Sequence, residues 1–428
     1  MAMLDLNFIR ENRELVKSGV ASKNLSNDIV DKVLDVDKNR RDLLVKVEEL
    51  RKQRNQYNDE LKSGRNEEII AKSVELKNQL DDLEPELRKV EAALGELMLQ
   101  VPNIPLEEVP IGKDDKDNKV IKTVGQKKSF DFTPRDHVEL GKMLDILDTD
   151  RGTKVAGFRG YFLKNEGVLL AMGVMRYALD KLAAKGFTMM MPPVIDRRSA
   201  FVNTGHFPWG ESEAYKLAED GQDPQNDYFL AGTAEVPLVS YYSGETFNEG
   251  DLPIKMVGFS PCFRREIGNH GKDTKGIFRV HEFYKVEQVV ICKNDIDESR
   301  KWHDEMLSYS EEILQDLGLH YQVLLMCSGD MGEPQAKKYD IETWMPGRDA
   351  FGETASDSIM TDFQSRRAGI RYRTGEGTKF VHMLNNTAAP SARLIVAILE
   401  NYQQADGSII IPEVLVPYVG IREIKPKL

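Results

Sequence analysis

The sequence is short of cysteine. Only Cys262, Cys292 and Cys327 occur among its 428 residues. They are far apart and odd in number, which suggests neither a disulfide framework nor a zinc site. So few thiols suit a reducing compartment, and we expect a cytoplasmic protein. No apolar run approaches the length that spans a bilayer. The first residues, MAMLDLNFIRENREL, lack the apolar core and cleavage site of a signal peptide. We therefore expect no membrane partner. A G-x-x-x-x-G-K-[ST] phosphate loop is missing, and there is no internal repeat. Positive charge is in deficit: 58 Lys and Arg against 70 Asp and Glu give a formal net charge of −12. This does not exclude a nucleic-acid partner, because the distribution of charge matters more than its sum.

What is present is a soluble composition. Hydrophobic residues make up 41% and charged residues 30%, enough to bury a core and solvate its surface. The length allows two or three domains. From about residue 28 to residue 100 the pattern is that of two long helices. Leu76, Leu80, Leu83, Leu87, Val90, Leu94 and Leu97 recur at alternating steps of four and three, a heptad seam. Leu43, Val47, Leu50, Tyr57 and Leu61 keep the same stepping, with Arg54 in one slot. The turn signal SGRN, residues 63–66, lies between them. This predicts an antiparallel helical hairpin on the order of 50 Å long. Pro85 falls inside the second helix and is expected to bend it. The first helix and turn carry Lys38, Arg40, Arg41, Lys46, Arg51, Lys52, Arg54, Lys62 and Arg65. Such a surface is either a solvated coiled coil with paired charges or a track for a phosphate backbone.

Residues 101–130 are rich in Pro, Gly and charge and are expected to be a linker. Beyond them strand-like runs (FTMMMPPVI, PIKMVGFSPCF, FRVHEFYKVEQVVI) mix with helical ones (EMLSYSEEILQDLG, SARLIVAILENYQQ). The two types do not alternate strictly, which favours an antiparallel α+β domain.

Three stretches could carry chemistry. In FRREIGNHGKDTKGIFRVHEF, residues 263–283, two apolar-anchored segments flank a polar loop, as in a β-hairpin. On strands, Arg264 and Glu266 would share one face, and so would Arg279 and Phe283. Arg264 could grip a phosphate bidentately, Phe283 could stack on a purine, and Glu266 could accept from a base amino group. Lys272 and Lys275 lie on the mobile-looking tip. Cross-strand ion pairs on a surface hairpin would give the same pattern. In GTKFVHMLNNTAAPSARLIVAILENYQ a strand is expected to run into a polar turn and then a helix from about Ser391. Arg393 in its first turn is poorly placed for the helix dipole; it either serves a ligand or acidic partner or is a surface Arg on a core-packing helix. Glu353 and Ser356 in GETASDS are candidates for Mg²⁺, which prefers oxygen ligands. Glu287 in YKVEQ also falls on a strand pattern.

Together and in this order, these pieces closely resemble bacterial-type seryl-tRNA synthetases over essentially the whole chain. The hairpin is similar to motif 2 of the class II synthetases. GFTMMMPPVI, ending at Pro193, is similar to motif 1, and the stretch ending at Arg393 to motif 3. TAEVPL, residues 233–238, matches the serine-binding loop. PCFRREIGNHGKDTKG, GDMGEPQAKKYDIETWMP and LENYQQADGSIIIPEVLVPY add further matches.

The resemblance implies an α+β fold: an N-terminal tRNA-binding domain with a long antiparallel coiled coil (1–110), a linker (111–130), and a class II catalytic domain (131–428) with an antiparallel sheet flanked by helices. It implies an ATP-dependent serine–tRNA ligase acting on tRNA-Ser, and on tRNA-Sec where present. Arg264, Glu266, Arg279 and Arg393 are the implied catalytic set. The ATP site would add Arg265, Val280, Phe283, Glu353 and Ser356, with Arg264 on the α-phosphate and Arg279 on the β/γ-phosphates. Phe283 and Arg393 would sandwich the adenine, and Glu266 would meet its amino group. Thr233, Ala234, Glu235, Arg264, Glu287 and Thr387 would bind serine, with Thr233 and Glu235 meeting its ammonium and backbone end and Glu287 and Thr387 its hydroxyl. Glu353 and Ser356 would hold Mg²⁺, and no zinc is expected. Arg40, Arg41, Arg51, Lys52, Arg54 and Lys62 would bind tRNA, and motif 1 implies a homodimer around Pro193.

Three stretches depart from the family pattern. NNTAAPSAR has no glycine before its Arg and carries Pro390, so an altered pocket floor is expected. ETASDSI has Ala355, Asp357 and Ile359 where the family usually reads E-x-S-S-x-S-N. Arg265 replaces a small or polar residue. Two other readings remain: a catalytically weak RNA-binding paralogue, and an amino acid:carrier protein ligase. The latter relatives lack the arm, and the former would lose Arg264, Glu287 or Arg393.

Overall fold

The structure, a computed structural model, describes residues 4–64, 66–218, 227–267 and 275–427. It divides into two compact units, residues 1–102 and 103–428.

In the first unit, helix α1 (Asp28–Ser63) and helix α2 (Glu67–Leu99) follow two short helices. The Asn66 side chain caps α2 by accepting from the Glu68 and Ile69 amides. The two long helices pack along the heptad seams. Leu43 and Val47 bury against Leu80 and Leu87, with Leu50, Leu83 and Val90 partly covered beside them. Helix α2 continues through Pro85. Arg65 and Lys272 lie outside the described residues.

The second unit is built on one sheet. Its strands are β1 (Lys119–Val124), β2 (Thr188–Met190), β3 (Ile254–Phe263), β4 (Glu282–Cys292), β5 (Tyr321–Leu325), β6 (Lys337–Met345), β7 (Ala350–Thr361) and β8 (His382–Pro390). Among the described residues the spatial order is β1-β5-β6-β7-β8-β4-β3-β2. Every pairing is antiparallel except that of β2 with β3.

Strand β4 shows why the sheet has two different faces. Val286, Val290 and Cys292 point into the main core, against helices α3 (Glu166–Ala184), α5 (Ile296–Asp316) and α6 (Ser391–Tyr402), with α4 (Glu235–Tyr241) on the other side. Val289 and Ile291 point oppositely, into a second cluster with Leu238 of α4. By the period of two, Phe283, Lys285 and Glu287 continue that second face, and all three line a cavity there.

Two expectations are corrected. The segment read as a linker contains β1, which pairs with β5 at the sheet edge, and Asn103 donates to the Pro334 and Met360 carbonyls within the second unit. No polar turn separates the strand before Arg393 from its helix: β8 runs to Pro390 and α6 begins at Ser391.

Candidate active site

The cavity holds about 320 Å³ and is lined from β4, β6, β7, β8, α4 and α6 and from the segments that follow β3 and precede β4. It gathers Arg264, Glu266, Arg279, Val280, Phe283, Glu353, Ser356 and Arg393, together with Thr233, Glu235, Glu287 and Thr387. These come from positions as far apart as 233 and 393, so the sheet brings together what the sequence separates.

At one end stand the arginines. Strand β3 ends at Phe263, so Arg264 and Glu266 are not strand neighbours as the spacing suggested. Glu266 takes a positive φ of 52°. That turn of the backbone still brings both side chains into the cavity. The Arg264 guanidinium lies 5.5 Å from the Phe283 ring centre, and its Nε donates to the Gly232 carbonyl at 3.2 Å. Glu266 Oε2 stands 3.4 Å from Arg279 and 3.5 Å from the buried Arg159. Arg393 donates to the Glu353 carbonyl at 3.1 Å, and its guanidinium lies 5.0 Å from the Phe278 ring.

Glu353 is surrounded by cations. Burial works to raise its carboxyl, but Arg393, Lys338, Arg264 and Arg279 outweigh this and hold it down at about 2. Ser356 faces the same space. Its cross-strand partner Asp340 takes Lys338 at 3.0 Å on Oδ2, while its buried Oδ1 has no hydrogen-bond partner among the described residues. These are all oxygen donors, the set that suits Mg²⁺. Among the described residues no group of three or more His, Cys, Asp and Glu could cage a metal ion by itself. A cation bound here would share the phosphates of a substrate, as Mg²⁺ commonly does.

At the other end stand two buried carboxylates. Glu235 Oε1 accepts from Gln364 at 2.7 Å and Asn385 at 2.8 Å. Burial raises its carboxyl, against the pull of Gln364, Lys285 and Arg264. Glu287 Oε2 accepts from Lys285 Nζ at 2.6 Å and from the Thr387 hydroxyl at 3.0 Å. His206 closes this end. Burial, with Arg264 and Lys285 nearby, pushes its imidazole down to about 4, so it is neutral at pH 7.

Some expected residues lie elsewhere. Arg265 points away from the cavity and donates to the Ser212 carbonyl at 3.1 Å. Ala234 is fully buried beneath the wall, in the apolar cluster with Leu238. Conversely, Lys285, His206, Phe278, Lys338 and Asn385 line the cavity without having been foreseen. Lys285 was available to sequence reasoning, since it lies between Phe283 and Glu287 on one strand face. His206 and Asn385 carry no such signal.

On the arm, Arg40 and Arg41 converge on the buried Asp37 at 3.2 and 3.0 Å, with Arg10 at 3.1 Å. They hold the base of the arm together. Arg51 pairs with Glu84 across the hairpin at 2.9 Å, and Lys62 with Asp59 at 2.7 Å. Lys52 is exposed and Arg54 half-buried.

Residues 215–402 match the tRNA synthetase class II core domain of the G, H, P, S and T enzymes, and residues 3–105 match the seryl-tRNA synthetase N-terminal domain. A mostly antiparallel sheet carrying an arginine-lined cavity, with that core match, defines a class II aminoacyl-tRNA synthetase. The chain is 44% identical to the serine–tRNA ligase of Deinococcus radiodurans, covering 99% of both chains. It is 42% identical to that of Dictyoglomus turgidum, over 99% of this chain and all of the other. A crystal structure of the seryl-tRNA synthetase from Pyrococcus horikoshii complexed with ATP superposes with a TM-score of 0.92, at 38% identity, over 99% of this chain and all of that one. The chain belongs to the seryl-tRNA synthetase family, and its reading as an ATP-dependent serine–tRNA ligase stands on full-length likeness.

Proposed function

We propose that the cavity binds ATP at its arginine end and serine at its carboxylate end, and joins them. The observation that carries this is the convergence of Arg264, Glu353 and Glu287 on one cavity of about 320 Å³. Phe283 offers a flat face for the adenine and Glu266 an acceptor for its amino group. Arg264 binds the α-phosphate, and Arg279 reaches the β- and γ-phosphates. Arg393 closes the other side of the base.

Serine enters with its ammonium toward Glu235 and Thr233. Its carboxylate is already ionised and needs no general base. One carboxylate oxygen attacks the α-phosphorus in line, the bond to the bridging oxygen of the β-phosphate breaks, and pyrophosphate leaves. Arg264 gains most as charge grows on the α-phosphate oxygens. Glu353 and Ser356 would hold Mg²⁺, whose chemistry is to neutralise the phosphates and their developing charge. A ribose hydroxyl at the tRNA 3′ end then attacks the seryl carbonyl, and AMP departs.

The arm would guide tRNA-Ser, and tRNA-Sec where present. Lys52 and Arg54 suit that role, whereas Arg40 and Arg41 already serve Asp37. We predict that Lys52→Ala with Arg54→Ala weakens tRNA binding and flattens its salt dependence by about one unit of slope per lost phosphate contact. Filter binding across a salt series measures this. Serine activation without tRNA should be unchanged. An unaltered salt slope would show that the arm does not track the phosphates.

A homodimer across motif 1 fits the surface there. Met189 and Met191 are 53% and 82% exposed on and beside the edge strand β2, an exposure that a partner subunit would cover. No described helix is long and apolar enough to cross a membrane, and a cytoplasmic location fits the reduced, buried cysteines.

A further inference from the structure

The amino-acid end of the cavity contains a lysine that the serine-binding account does not use. Lys285 is 4% exposed. Its Nζ donates to Glu287 Oε2 at 2.6 Å and to Thr387 Oγ1 at 3.3 Å. Thr387 in turn spends its hydroxyl proton on the same Glu287 oxygen, at 3.0 Å. Both protein donors therefore meet Oε2. Among the described residues, Oε1 accepts nothing from the protein, although Glu287 lines the cavity.

We propose that Lys285 is the positioning residue of the amino-acid pocket: it pins Glu287 Oε2, fixes the carboxylate plane, and so presents Oε1 to the hydroxyl of the substrate. The proposal rests on the serine-activating reading above and adds how that site selects a hydroxyl. An ionised carboxylate has no proton to donate, so Oε1 can be satisfied only by a substrate that brings a donor. An amino acid with an apolar side chain leaves it buried and unpaired, which is where large discrimination factors arise. Thr387 then acts through Glu287, since its own proton is already committed. Lysine fits this place because its ammonium is compact and directs several donors at once. Burial raises the Glu287 carboxyl and the neighbouring Glu235 adds to that, while Lys285 and Thr387 pull it down. Removing Lys285 would thus free the orientation of Glu287 and weaken its hold on the ionised form.

The test is amino-acid-dependent ATP–pyrophosphate exchange with Lys285→Gln. We expect the serine KM to rise about 10- to 100-fold, as for a lost hydrogen bond to a charged group. The serine-to-alanine ratio of kcat/KM should fall by a similar factor and the ATP KM should hold, a split that a general loss of structure would not give. The double variant Lys285→Gln, Glu287→Gln removes both buried charges, and so remains informative if the single variant does not fold. Because Lys285 acts through Glu287, the double variant should be no worse than Glu287→Gln alone. An unchanged serine KM and alanine ratio in Lys285→Gln would overturn the proposal. So would a double variant weaker than Glu287→Gln by a further tenfold or so. Wild-type protein that fails to exchange with serine would instead overturn the underlying reading, before any variant is made.

Discussion

Replacing Arg264 by alanine is expected to lower the rate of serine-dependent ATP–pyrophosphate exchange by about 10³-fold, the upper range for removing one preorganised charge donor from a transition state. Arg264 stands directly after β3, with its guanidinium in the cavity beside Phe283. Its side chain makes one described hydrogen bond to the protein, from Nε to the Gly232 carbonyl. The rest of the guanidinium is thus available to a ligand. Losing that one bond costs the fold only about 1 kcal/mol, so thermal unfolding should move little. Arg264→Lys should recover only part of the rate, because an ammonium cannot reproduce a bidentate phosphate grip. The rate of exchange together with thermal unfolding separates the two effects. Near-normal exchange in Arg264→Ala would remove this residue from the chemistry.

Replacing Glu287 by glutamine should act on the other substrate. The amide keeps the shape but loses the charge that Lys285 addresses and that the proposed site offers to the substrate hydroxyl. We expect kcat/KM for serine to fall by roughly 10³- to 10⁴-fold, below the roughly 10⁴- to 10⁵-fold by which a site built for a substrate hydroxyl rejects an analogue lacking it, because the amide oxygen can still accept a hydrogen bond. Activity with alanine, which makes no such contact, should change far less, so the two would become comparable. Glu287→Ala is predicted to be worse for the fold. Both variants take the counter-charge from the buried Lys285 ammonium, but the glutamine oxygen can still accept its hydrogen bond, whereas alanine removes that acceptor at a further cost of about 1–3 kcal/mol. Urea unfolding of the two variants should therefore separate them clearly. Equal stability of the two would mean that Lys285 finds another partner.

The parts of this molecule legible in the sequence are those with strong periodicity. The arm was readable because Leu76, Leu80, Leu87 and Leu94 repeat in step, and these are the residues the hairpin buries. The hairpin of β3 and β4 was readable from its apolar flanks and polar tip. Strand β1 was not, because all but one of its six residues are exposed on an edge, leaving no apolar alternation to detect. Charge sums on the arm could not separate Arg40 and Arg41, drawn in by the buried Asp37, from Lys52, which is exposed. Arg265 was misplaced because it neighbours Arg264 in sequence, whereas its side chain leaves the cavity for the Ser212 carbonyl. The glycine-free stretch before Arg393 shapes one part of the cavity wall. Strand β8 continues to Pro390, and both Pro390 and Ala392 line the cavity.

The most direct measurement is ATP–pyrophosphate exchange by the purified wild-type protein without tRNA, run separately with serine, alanine, threonine and cysteine. The account predicts exchange that requires Mg²⁺ and is supported by serine, with alanine lower by several powers of ten, on the order of 10⁴. Exchange with alanine at a rate comparable to serine would contradict the role given to Glu287. No exchange with any of the four would contradict the assignment of the cavity as an adenylation site.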